Sequence, residues 1–168
     1  SDLWRRVDIK GVDVDARLVR AVFSRGGRGW AFGEAGTIFT TRDGGVNWTR
    51  LQSPTRHLLL GGIFIDEDRG WLVGAGTTII QTSDGGDTWY QSRLAQTDEI
   101  RFAAASFVDN RLGWAVGSAG TIYRTVNGGR TWQLQNSGVT ADLNDVKFLD
   151  AQEGWAVGSE GTIIYTND

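Results

Sequence analysis

The sequence contains no cysteine and no methionine, and only one histidine, His57, and one proline, Pro54, in 168 residues. Without cysteine there are no disulfides, no thiolate zinc ligands and no cysteine nucleophile, and a lone histidine cannot form a cluster for a transition metal. Neither a cofactor nor a metal is expected. No apolar run approaches the roughly 18 residues of a spanning helix, so membrane insertion is not expected either. Lysine is scarce, at 2 against 15 arginines, and the net charge of −3 argues against nonspecific nucleic-acid binding. The charge is unevenly spread: residues 1–50 carry 9 basic and 6 acidic side chains, the remainder 8 and 14. The sequence opens on Ser1 rather than methionine, which fits a trimmed or matured product and leaves export open.

What is abundant is glycine, at 24, and tryptophan, at 8. Both follow a repeat. Gly29-Trp30-Ala31-Phe32-Gly33 recurs at Gly70–Gly74, Gly113–Gly117 and Gly154–Gly158, in steps of 41, 43 and 41 residues. Seven residues before each tryptophan stands a phenylalanine (Phe23, Phe64, Phe107, Phe148), and seven after it a threonine (Thr37, Thr78, Thr121, Thr162). A second tryptophan (Trp48, Trp89, Trp132) follows 18 residues after the first in three repeats. All length variation falls between that second tryptophan and the next phenylalanine.

Each repeat holds four short β-prone runs separated by Gly, Asp or Asn turns. The second run is apolar on both faces, so both must be covered, as in a blade packed between two neighbours. The expected fold is all-β: a β-propeller of four-stranded antiparallel blades, in a single domain over 1–168. The blades fall roughly at 17–51, 58–92, 101–135 and 142–168 plus 3–9. The last pairing arises because the fourth repeat reaches Asp168 after its third run, while Leu3-Trp4-Arg5-Arg6-Val7 reads like the fourth run Asn47-Trp48-Thr49-Arg50-Leu51. An N-terminal strand completing the last blade would close the ring. The count allows a four-bladed ring, half of an eight-bladed ring made by two chains, or part of a longer propeller.

Three turns read Thr41-Arg42-Asp43-Gly44-Gly45-Val46-Asn47-Trp48, Thr82-Ser83-Asp84-Gly85-Gly86-Asp87-Thr88-Trp89 and Thr125-Val126-Asn127-Gly128-Gly129-Arg130-Thr131-Trp132. They resemble the Asp-box. Asp43, Asp84, Asn127 and, at the start of a fourth copy, Asp168 are expected to accept hydrogen bonds from their own turn, a structural role. The Gly-Trp-x-x-Gly, Gly-Thr-Ile and Asp-Gly-Gly-x-Thr-Trp motifs together resemble the photosystem II stability and assembly factor family. That resemblance implies an exported scaffold, periplasmic, lumenal or extracellular, that binds a protein client such as a membrane-protein segment and has no catalytic site.

The variable connections should gather on one side of the ring, where specificity usually sits. They are Gln52 to His57, Arg93 to Arg101 and Asn136 to Asn144. With the charges expected on the channel-lining first strands, the binding candidates are Arg17, Arg20, Arg56, His57, Arg101, Asp142 and Asp145. Arginine suits bidentate recognition of carboxylates. The bland reading is solvated or mutually paired charge. His57 lacks partners for a triad, and Asp66-Glu67-Asp68 reads as a solvated turn rather than a calcium site. Two other functions stay open. A glycoside hydrolase would need facing carboxylates, for which Asp98 or Glu99 with Asp142 or Asp145 is the available pairing. A lectin-like propeller would bind carbohydrate between blades. A homodimer is a further expectation.

Overall fold

The computed structural model describes residues 3–9, 15–94 and 100–168. Among these residues it is all-β, with fifteen strands in four antiparallel sheets. The first sheet orders β1 (Leu18–Phe23), β2 (Gly29–Gly33), β3 (Ile38–Thr41) and β4 (Thr49–Leu51). The second is β5 (Leu59–Phe64), β6 (Gly70–Gly74), β7 (Thr78–Thr82) and β8 (Tyr90–Gln91), and the third is β9 (Phe102–Phe107), β10 (Gly113–Gly117), β11 (Ile122–Thr125) and β12 (Gln133–Gln135). The fourth holds only β13 (Leu143–Phe148), β14 (Glu153–Gly158) and β15 (Ile163–Asn167).

Each sheet is an up-and-down meander, and successive sheets stack face to face as propeller blades. Their cores lie between blades. Trp30, Phe32 and Ile38 of the first blade pack against Leu59, Phe64, Leu72 and Ile80 of the second, and the next two junctions repeat the pattern. The recurring spacing of Trp and Phe is explained here: Trp30 lies flat on Phe64, Trp71 on Phe107 and Trp114 on Phe148, with ring centroids 3.4–3.6 Å apart. Such pairs contribute about 0.5–1.5 kcal/mol beyond their burial. The indole N–H groups are satisfied by the neighbouring turn, Trp30 Nε1 donating to the Gly85 carbonyl (2.9 Å) and Trp71 Nε1 to that of Gly128 (3.0 Å).

The two ends of the blades use different devices. On one, the turn between third and fourth strands is tied to the hairpin between first and second: Gly44 N donates to Gly27 O, Gly85 N to Asp68 O and Gly128 N to Arg111 O. On the other, the turn between second and third strands meets the variable connection. Thr77 N donates to Ile100 O, and a Cβ on Gly36 or Gly120 would overlap the carbonyl of Thr55 or Val139.

The N-terminal segment departs from the sequence expectation. Residues 3–9 form no strand, Leu3 and Trp4 are exposed, and β15 has no fourth strand beside it among the described residues. The reason is curvature: a strand leaving β1 could reach β15 of the same chain only if the first and last blades met. Instead Phe23 on the first and Trp155 on the last both face solvent in part. The four blades form an open arc, part of a propeller rather than a closed ring.

Candidate functional site

The first strand of every blade carries the same irregularity. Leu18 pairs with Gly33 and Arg20 with Phe32, so Val19 between them has no cross-strand partner. Leu60, Ala103 and Asn144 are skipped in the same way. A bulge of this kind twists the strand and re-aims the extra residue. The last glycine of each Gly-Trp-x-x-Gly motif permits it, since a Cβ on Gly33, Gly74, Gly117 or Gly158 would overlap the carbonyl of Arg17, Leu58, Arg101 or Asp142.

All four bulged residues line one cleft of about 360 Å³, together with Arg20, Arg101, Ser118, Asp142 and Leu143. Val19, Leu60, Ala103 and Leu143 give it an apolar floor; two guanidinium groups and one carboxylate border it. Arg20 Nε donates to the Leu60 carbonyl at 3.1 Å, which fixes the side chain across the first junction. Asp142 Oδ1 accepts the Ala119 N–H at 2.8 Å, and Ser118 Oγ accepts the Arg101 N–H at 3.1 Å. Among the described residues neither Arg20 nor Arg101 has an ion-pair partner. Guanidinium groups beside small apolar side chains, one of them held in place through Arg20 Nε, can hold an extended segment bearing carboxylates. The lining offers no nucleophile activated by a base.

Of the residues singled out from sequence, Arg20, Arg101 and Asp142 are thus brought together. Arg17 is not part of the cleft: its Nε pairs with Glu34 at 3.2 Å in an exposed ion pair, and its N–H donates to the same carboxylate. Arg56 borders a separate hollow with Ser53, Thr55 and Ala35. His57 is exposed, with its ring against Gly76, and Asp145 accepts the N–H of the adjacent Val146. Asp98 and Glu99 lie outside the described residues. Val19, Leu60, Ala103 and Asn144 were missed, although one signal marks them: each stands four residues before its repeat's phenylalanine.

The opposite end is engaged with itself. Asp43 Oδ1 accepts the Asn47 N–H (2.9 Å) and the Thr41 hydroxyl (2.8 Å), while Thr41 Oγ1 accepts the Gly45 N–H (2.9 Å). Thr82, Asp84, Gly86 and Thr88 repeat this, and Thr125, Asn127, Gly129 and Thr131 do so with an amide in place of the carboxylate. Thr166 already donates to Asp168 in the same manner. Bonds from Asn47 and Thr41 hold the Asp43 carboxyl down at about 2, and bonds from Thr88 and Thr82 do the same for Asp84. A second aspartate motif, two residues after the phenylalanine, closes the neighbouring hairpin: Asp66, Asp109 and Asp150 each accept two backbone N–H groups. Asp66 is therefore occupied by its own turn, and no cluster of potential metal ligands exists among the described residues.

These features define a β-propeller repeat protein. A family model described as photosynthesis system II assembly factor YCF48 matches residues 46–135 and 103–167, and the chain belongs to that family. Its structure is similar to that of YCF48 from Cyanidioschyzon merolae (TM-score 0.74, 23% identity, 89% of this chain and 50% of that one). It is also similar to a YCF48 bound to D1 peptide (TM-score 0.64, 20% identity, 92% and 64%). The chain therefore spans half to about two thirds of these relatives' length. The GH74 xyloglucanase from Xanthomonas campestris shares the fold over 90% of this chain and 28% of its own, at 15% identity and a TM-score of 0.71. A search of curated proteins finds no match.

Proposed function

We propose that this chain is a noncatalytic binding scaffold of the assembly-factor type, which docks an extended protein segment in the cleft lined by the four bulged residues. The observation that carries this reading is the convergence of Arg20 and Arg101 on an apolar floor of Val19, Leu60, Ala103 and Leu143, the first three being equivalent bulged residues of three blades. A relative in the same fold is bound to D1 peptide, which supports a segment of a membrane protein as the client. Family membership supports an exported location, in the periplasm, the thylakoid lumen or outside the cell. The xyloglucanase likeness is one of fold alone. Tyr90, Tyr123 and Tyr165 all lie within blade strands, which leaves no tyrosine nucleophile for sialidase-like chemistry.

Fluorescence anisotropy with a labelled D1 peptide, and with an unrelated acidic peptide of equal length, tests the proposal. Arg20→Glu combined with Arg101→Glu should weaken binding by about tenfold or more, since each replaces attraction by repulsion. Arg56→Glu, in the separate hollow, should change it little. Binding that is unaffected by the double change, or saturable turnover of chromogenic glycosides, would remove this reading.

A further inference from the structure

A hollow of about 620 Å³ lies on the first blade and shares no lining residue with the client cleft. Its walls are the end of β4, the connection 52–56 that leaves it, and the turn 35–37 between β2 and β3. All of it therefore belongs to residues 35–56, and none of it to the first or last strand.

What shapes the hollow can be separated from what lines it, because the third blade builds the same loop. Ser53 Oγ donates to the Thr55 carbonyl at 3.1 Å, and Ser137 Oγ to that of Val139 at 3.1 Å. Ala35 and Ala119 both sit at φ 55°, and the glycine after each lies against the Thr55 or Val139 carbonyl. The cations are what differ. Arg50 and Arg56 border the first hollow, whereas the third blade has Leu134 and Thr140 at those positions. The loop thus forms without either guanidinium group.

Nor are these arginines neutralised. Among the described residues neither has an ion-pair partner, and no carboxylate lines the hollow. Glu34, the acidic residue nearest in sequence to the turn, is taken by Arg17 at 3.2 Å. Thr37 adds a third donor: it lines the hollow, is 2% exposed, and its Oγ1 makes no hydrogen bond. A buried hydroxyl left unpaired is destabilising, and a ligand oxygen seated here relieves that cost. Thr78 repeats the buried, unpaired hydroxyl in the second blade, but with Gln91 where Arg50 stands.

We propose that this hollow binds the phosphate group of an organic phosphate ester, held by Arg50, Arg56 and a hydrogen bond from the Thr37 hydroxyl. Two guanidinium forks and a hydroxyl offer donors from more directions than a flat carboxylate accepts, and they suit a tetrahedral oxyanion. The volume falls within the roughly 300–1,000 Å³ of small-molecule sites and exceeds what a free phosphate ion fills, so the phosphate carries an attached group. A small soluble ester and a phospholipid headgroup present the same chemistry. Binding here is independent of the client cleft.

The test is isothermal titration of the 168-residue chain with glycerol phosphate and with acetate, alongside co-sedimentation with phosphatidylcholine vesicles with and without phosphatidylglycerol. Glycerol phosphate should saturate one site and bind more tightly than acetate. Arg50→Leu combined with Arg56→Thr installs the third blade's residues, which that loop already accommodates. It should weaken phosphate binding about tenfold or more and leave D1-peptide binding unchanged. Thr37→Val should weaken it about threefold with both arginines in place, a loss that diffuse attraction to positive charge does not produce. Sedimentation with phosphatidylglycerol vesicles that glycerol phosphate reverses assigns the phosphate to a lipid; titration without sedimentation assigns it to a soluble ester. No binding in either arm, equal affinity for acetate, or binding unchanged in either variant would overturn the proposal.

Discussion

The third and fourth blades contain the same pentapeptide, Gly-Trp-Ala-Val-Gly, in β10 and in β14, and the structure treats the two copies differently. In β10 every residue is buried, whereas in β14 Trp155 is 36% and Val157 41% exposed. Backbone, pairing and register are alike, so the difference comes from what lies against the forward face: a fourth blade covers Trp114 and Val116, whereas no further blade among the described residues covers Trp155 and Val157. The repeat encodes a surface, and a neighbour turns that surface into a core.

That contrast can be broken most directly by truncating the two tryptophans. Trp114→Ala should lower stability by ~3–5 kcal/mol, the range for a large buried aromatic, whereas Trp155→Ala, at a side chain 36% exposed, should cost less than half as much. Chemical denaturation of both variants measures the difference, and equal losses would mean that Trp155 is already covered.

Acid sharpens the comparison between blades further. Asp43 and Asp84 have folded-state pKa values near 2, below the ordinary value of 3.8, so the folded state favours their carboxylates. The stability they contribute is present above about pH 4 and is lost as the pH falls toward 2. The third box holds Asn127, which makes the same turn bonds and does not titrate. Asp84→Ala should lower Tm by a few degrees at neutral pH. Asp84→Asn should lower it less and should flatten the fall in Tm between pH 4 and pH 2.

The smallest effect on stability is expected at the cleft. Arg20→Glu and Arg101→Glu alter exposed side chains, and thermal unfolding should shift by no more than ~0.5 kcal/mol while peptide binding is lost. A large destabilisation would mark these arginines as parts of the scaffold.

Much of this was legible in the sequence because repetition multiplies a local signal. Four spacings from phenylalanine to tryptophan established the blade, and the Asp-Gly-Gly turns located one end of it. The cleft was legible only in part. Arg20, Arg101 and Asp142 stood out as charges on first strands, but Arg17, Arg56, His57 and Asp145 stood out equally and lie outside it. The bulged residues carry no common chemistry, being Val, Leu, Ala and Asn, and only their shared position four residues before the phenylalanine unites them.

By itself the sequence determined the elements that depend on near neighbours: four-residue turns, strand alternation, and the number and order of blades. Tertiary structure alone decided the curvature of the arc. Curvature is a sum of small angles between packed sheets, and no single residue records it. It separates Trp155 from Phe23 of its own chain, leaves residues 3–9 unpaired despite their strand-like sequence, and brings Val19, Leu60, Ala103 and Asn144 from four distant repeats to one cleft.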